Sequence, residues 1–245
     1  MPPAQWNLSE SDDRLVTSYM EAKTAVIGAG FAGEVDWQDE VCLEDVDEQG
    51  FLREAAWVIL SSGMRHAVIS RLFPKVSRAF LDWTSAQAIV RQREKCRQNG
   101  LSAFAHEGKV EAILSVAGTV ALHGFDRVRD RVRREGVTYL QSFPYLGPAT
   151  SRHLAKNLGL GIAKPDRHLV RVSKAAGFRS PDAFCARISE LIGEKPSVVD
   201  VVVWRYATLQ RDYLSLFRCR EALQIKSPHG RRKPRLPELT AQACC

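Results

Sequence analysis

The sequence predicts an all-α protein. Three observations carry the prediction. Apolar residues recur at helical spacing along most of the chain. Cap and breaker residues punctuate these stretches, as where Ser180-Pro181-Asp182 opens a helical run. The one segment of strand-like composition, Val198 to Val203, runs on into Trp204, Tyr206, Ala207 and Leu209 at helical spacing and reads as a buried helix. At 245 residues the chain can bury one sizeable core or form one domain of two lobes.

Taken in order, Ser9-Glu10-Ser11-Asp12 begins an amphipathic stretch that reaches Val26. The next residues carry Gly28, Gly30 and Gly33 in a G-x-G-x-x-G pattern. A dinucleotide site needs a strand before that pattern and a helix after it. Here a helical stretch precedes it and Glu34-Val35-Asp36-Trp37 is a poor helix start, so the segment reads as a glycine-rich connector. Residues 51–73 predict one helix ending before Pro74. Residues 85–99 predict another, closed by Gly100. Helices over 108–122 and 126–143 follow. Leu146-Gly147-Pro148 then breaks the chain, and Thr150-Ser151 starts a second helix. Asp166 opens a further helix to Gly177, and helices over 180–192 and 197–217 complete the set. The tail after Lys226 is rich in Pro, Arg and Lys and reads as disordered. The predicted organisation is an acidic, partly helical arm over 1–50, a helical domain over 51–225 and a basic tail over 226–245.

Charge is divided unevenly. Residues 1–50 hold twelve acidic against two basic residues, a net of −10, which leaves +17 on the rest of a chain whose total is +7. A basic body suits a polyanionic partner, although a solvated charged surface gives the same balance. Cys42, Cys96, Cys185 and Cys219 stand isolated, and Cys244 and Cys245 form a terminal pair. No C-x-x-C or close histidine partner points to zinc. Dispersed cysteines and the lack of a signal-like or membrane-length apolar run predict an intracellular protein with no membrane partner.

The chemistry concentrates between Leu140 and Phe178. A glycine turn feeding a helix N-terminus leaves backbone N–H groups free for an anion such as phosphate. About twenty residues on, Asp166 places one carboxylate at a helix start. An N-cap role accounts for that residue by itself. It is also compatible with catalysis, because a capped carboxylate is held rigidly and stays ionised beside the helix dipole. A phosphate grip and a lone carboxylate at this separation suggest chemistry on a nucleic-acid backbone or sugar.

The segment Phe143-Pro144-Tyr145-Leu146-Gly147-Pro148-Ala149-Thr150 resembles the Leu-Pro-Gly-Val-Gly-x-Lys-Thr hairpin of the helix-hairpin-helix DNA glycosylases of the endonuclease III type. Pro165-Asp166-Arg167-His168-Leu169-Val170-Arg171-Val172 is similar to their Val-Asp-x-His-x-x-Arg-Val segment. Val58 to Ser62 and Gly108 to Ile113 extend the likeness upstream, so residues 51–217 are the span it covers. The resemblance implies a two-lobed helix-hairpin-helix fold and a DNA N-glycosylase that acts as a monomer on duplex DNA carrying a modified or mispaired base. It implies Asp166 as the catalytic residue, stabilising the cation-like sugar and orienting water. Tyr145, Gly147, Ala149, Thr150 and Arg152 then contact the DNA backbone. Met64 or Arg65 fills the gap left by the flipped base, and His168 lies beside it on the first turn after Asp166.

The chain departs from the family pattern in three places. Ala149 stands where lyase-competent relatives carry their nucleophilic lysine, which implies hydrolysis without strand nicking. Lys156 and Lys164 do not match that position and read as surface or phosphate-contacting lysines. The four closely spaced cysteines of an iron–sulfur cluster are missing, so no metal or organic cofactor is implied. Tyr145 replaces the glycine that lets backbone approach phosphate. The five arginines between Arg127 and Arg134 either contact phosphates or pair with Asp126, Asp130 and Glu135. Trp57, Trp83, Trp204, Tyr206 and Tyr213 read as core. Two other classes remain open: a glycosylase-like transferase acting on modified bases, and a DNA-binding module without catalysis.

Overall fold

Fourteen helices and no strand make up residues 9–218, the part of the chain that the computed structural model describes. They are α1 (Glu10–Val26), α2 (Ala32–Glu40), α3 (Glu48–Ser61), α4 (His66–Ala79), α5 (Ala86–Arg91), α6 (Arg93–Ala103) and α7 (Glu107–His123), followed by α8 (Phe125–Glu135), α9 (Val137–Leu140), α10 (Pro148–Asn157), α11 (Arg167–Ala175), α12 (Pro181–Ile192), α13 (Pro196–Leu209) and α14 (Tyr213–Phe217). The all-α prediction holds. The predicted basic tail and Cys219, Cys244 and Cys245 lie outside the described residues.

Two hydrophobic cores organise the chain. The first is built by α3 to α10 around Phe51, Ile59, Phe80, Ile89, Leu114 and Leu140. The second joins α1 and α2 to α11, α12, α13 and α14 around Tyr19, Leu169, Phe184, Ile188 and Val202. The acidic segment expected as an arm therefore supplies two core helices. Ser9 caps α1 by accepting from the Asp12 N–H, and Leu15, Tyr19, Ala22 and Val26 form its buried stripe. Its charge is held by the later helices. Arg187 of α12 donates to both oxygens of Asp12 at 3.0 and 2.8 Å. Lys23 pairs with Glu194 at 2.5 Å, and Arg205 of α13 pairs with Glu34.

The G-x-G-x-x-G segment forms a π-type turn, Ile27–Phe31, between α1 and α2. Gly30 there takes φ +89°, which an L side chain rarely adopts. With a helix on each side it is a connector, not a nucleotide loop.

Four predicted helices are divided, among them the 197–217 stretch, which stops at Leu209 as α13 and resumes at Tyr213 as α14. The 51–73 stretch breaks at residues 62–65, where Gly63 takes φ +70°. Its second half then runs through Pro74 to Ala79. Pro74 cannot donate to the Ser70 carbonyl, but both residues are exposed and water can take the bond. The 85–99 stretch bends at Gln92, and α6 continues past Gly100. That glycine sits under Phe80, whose ring edge lies 3.0 Å from where a Cβ would stand, so it serves close packing and not termination. The 126–143 stretch breaks at Gly136, φ +55°. The helix read from Val198 onward is α13, with Ser197 to Val203 all buried.

Lys156 of α10 is one point at which the lobes are tied. Lys156 pairs with Asp200 of α13 at 2.8 Å, and Gln38 of α2 donates to the Lys156 carbonyl at 3.1 Å.

Candidate functional site

The hairpin between α9 and α10 forms as an abrupt turn. Tyr145 takes φ +63°, the left-handed conformation that glycine would adopt without strain. Its ring compensates by packing on the start of α7, edge-on to His106 with centroids 5.9 Å apart. A Cβ on Gly108 would meet the Tyr145 hydroxyl, so that glycine makes room for the ring. Gly147 is the N-cap of α10, without a side-chain cap. Pro148 at the first position has no N–H to satisfy. Thr150 and Ser151 turn their hydroxyls back, Thr150 donating to the Tyr145 carbonyl at 2.9 Å and Ser151 to the Gly147 carbonyl at 2.8 Å. The Ala149 and Thr150 N–H groups have no hydrogen-bond partner among the described residues and lie at the positive end of the helix dipole.

Lys109, beside Gly108, was not legible as a functional residue. Its ammonium is buried and donates to the carbonyls of Leu60 at 2.7 Å and Ser62 at 2.5 Å. It caps the end of α3 and fixes the origin of the 62–65 loop. Burial lowers its pKa from the ordinary lysine value. The start of α7 therefore touches the hairpin through Gly108 and the 62–65 loop through Lys109. Met64 is 41 % exposed on that loop, and Arg65 is exposed at the N-cap of α4.

Asp166 is the N-cap of α11. Its Oδ1 accepts from the His168 and Leu169 N–H groups at 2.8 and 2.9 Å. Oδ2 accepts no hydrogen bond among the described residues and the side chain is half-buried. The approach to it is also held: Lys164 donates its N–H to Asp200 Oδ2, and the Asp166 N–H bonds the Lys164 carbonyl at 2.8 Å.

Several titratable and aromatic residues come together in this part of the fold, half-buried except for the exposed His66. His66 opens α4 between two tryptophans, 5.5 Å from the Trp57 ring and 6.5 Å from Trp204. Both tryptophans are half-buried; Trp83, in contrast, is buried and stacked on Phe80. Burial holds the His153 imidazole on α10 well below the usual histidine range, and the charges of Lys164, Lys156 and His66 reinforce the effect. Burial also lowers Lys164, as does Lys156, while Asp166 and Asp200 oppose the shift. Glu54 of α3 is raised by burial, opposed by a 3.0 Å hydrogen bond from Asn157. Shifts of this kind, each dominated by burial, make these groups a candidate site. Sequence spacing could not find it, because its members come from α3, α4, α10, α13 and the loop before α11.

Several expected residues are engaged elsewhere. Arg152 does not face outward as a DNA contact. It donates to the Ala163 carbonyl at 3.0 Å and pairs with Asp182, clamping α10 to α12. His168 packs edge-on to Tyr213 at 5.3 Å and accepts from Arg167 at 3.2 Å. Burial lowers its pKa, Asp166 opposing. It is a packing residue of the second core, with Nδ1 buried and unpartnered. Three of the five α8 arginines follow the pairing alternative, Arg129 with Asp126, Arg131 with Glu135, and Arg133 with Asp130 and Glu44, while Arg127 and Arg134 form no ion pair among the described residues.

Among the described residues no helix is long and apolar enough to cross a membrane. Comparison with protein-family models, with curated proteins and with solved structures finds no match.

Proposed function

We propose that this protein is a monofunctional DNA N-glycosylase that extrudes a damaged, modified or mispaired base from duplex DNA and hydrolyses its bond to deoxyribose. The observation that carries the reading is Asp166: one oxygen is fixed by two backbone donors, and the other accepts no hydrogen bond among the described residues. A carboxylate so oriented stabilises the oxocarbenium-like sugar and directs water to C1′. The Ala149 and Thr150 N–H groups at the start of α10 suit a backbone phosphate, and the exposed Met64 and Arg65 suit the vacated base stack.

The test is a panel of duplexes, each with one lesion or mismatch, followed by alkali. Alkali-dependent breakage at one base is expected. Asp166→Asn should slow base release on the order of 10²–10³-fold. Breakage without alkali would assign an amine nucleophile, with Lys164 the residue to substitute. Duplex binding without base release, unchanged in Asp166→Asn, would leave a DNA-binding module.

A second reading is favoured by Lys164, which forms no ion pair among the described residues. An anionic co-substrate seated there would make the enzyme a transferase acting on a modified base. Base release dependent on added phosphate or pyrophosphate would favour that reading.

A further inference from the structure

On α8, Arg129, Arg131 and Arg133 pair with carboxylates of their own helix or with Glu44, while Arg127 and Arg134 form no ion pair among the described residues. None of the cations of α4 and α11 has such a partner. On α4, Arg71, Lys75 and Arg78 stand at i, i+4 and i+7, all exposed, on a helix without a single acidic residue. On α11, Arg167, Arg171 and Lys174 repeat the same spacing, again exposed and again with no acidic residue within the helix. None of the six forms an ion pair among the described residues.

α4 starts with the exposed His66, whose ring lies 5.5 Å from Trp57 and 6.5 Å from Trp204, and α11 starts from its cap Asp166. Beside the α4 stripe an open depression of about 340 Å³ is lined by Lys75, Arg78, Ala79, Asn99 and Ser102, donors and small residues with no carboxylate. Seven residues of helix span about 10 Å. That length matches a few phosphates of a duplex strand, and so many aligned cations without counter-charges cost the fold self-repulsion.

We propose that the α4 and α11 stripes are two phosphate-binding tracks that hold duplex DNA outside the hairpin. The partner is the duplex backbone; the proposal rests on the glycosylase reading only in what the tracks deliver to Asp166.

The experiment uses the full chain and a fluorescein-labelled 20-base-pair duplex, with affinity followed by anisotropy from 50 to 300 mM salt. Three variants are compared: Arg71→Gln/Lys75→Gln/Arg78→Gln, Arg167→Gln/Arg171→Gln/Lys174→Gln, and the α8 control Arg131→Gln/Arg133→Gln. Each stripe variant should flatten the slope of log K against log salt by about 2–3, from roughly 0.9 per phosphate contact. At 100 mM salt its affinity should fall on the order of 10²-fold. The α8 control should keep the wild-type slope. Circular dichroism of each variant must match the wild type, since these side chains are exposed.

Wild-type slopes in both stripe variants overturn the tracks, and base release by the same preparations at saturating protein then leaves the glycosylase reading intact. Flattened slopes without base release on any duplex support the tracks and overturn the glycosylase. A wild-type protein whose duplex affinity ignores salt overturns the tracks outright.

Discussion

Replacing Asp200 by alanine leaves the Lys156 ammonium without its partner. The two side chains meet at 2.8 Å and are only 9 % and 4 % exposed, so neither charge can be rehydrated in place. Breaking such a pair from one side costs about 3–5 kcal/mol. Asp200 also accepts the Lys164 N–H, and orphaning that donor costs about 1–3 kcal/mol. Asp200→Ala should therefore lose about 5 kcal/mol, a large share of the roughly 5–15 kcal/mol that holds a typical native state. Lys156→Met strands the carboxylate with one backbone donor and should lose about 3–5 kcal/mol. The double variant Lys156→Met/Asp200→Ala removes both charges and strands only the Lys164 N–H, so it should lose about 1–3 kcal/mol, less than Asp200→Ala. Urea unfolding followed by circular dichroism gives all four stabilities. Singles within about 1 kcal/mol of wild type, or a double equal to the sum of its singles, would refute the reasoning.

The conformation of Tyr145 gives a second expectation. At φ +63° a β-branched residue is more strained than any other, so Tyr145→Val should be about 1–2 kcal/mol less stable than Tyr145→Gly, both lacking the ring. Equal thermal midpoints would mean that the turn relaxes. The third concerns acid. His153 is held neutral below its ordinary 6.5 while the unfolded chain titrates normally, so the unfolded state binds the extra proton and stability falls as pH drops below about 6.5. His168, lowered likewise, adds the same sign; Glu54, raised, works the other way nearer 4.5. Urea midpoints from pH 7 to 5 should decline less steeply in His153→Gln, and an unchanged decline would assign the effect elsewhere.

Local chemistry made some of this legible and long-range packing hid the rest. Ser180 and Asp166 announce their helices because a cap acts within three residues, and both are N-caps in the structure. The break at 62–65 was invisible because the apolar spacing of Phe51 to Leu60 resumes in phase at Ile69, Phe73 and Val76. Lys164 read as a surface lysine because what surrounds it, Asp200 and Lys156, lies 36 and 8 residues away. Arg152 looked available because Asp182, thirty residues on, had no visible claim to it. The acidic balance of residues 1–50 suggested an arm, since charge counting cannot see Arg187 and Arg205 waiting for it.

The second lobe is assembled from the two ends of the described chain. Lys23 and Tyr19 meet Glu194 across 171 and 175 residues of intervening sequence. On a ribosome adding about 5–20 residues per second, α1 must wait roughly 10–35 s for the helices that cover its apolar stripe. The first lobe, continuous in sequence, has all its partners earlier. Synthesis thus imposes an order: the middle of the chain can settle first, and the lobe that carries Asp166 closes only when the last helices return to the first.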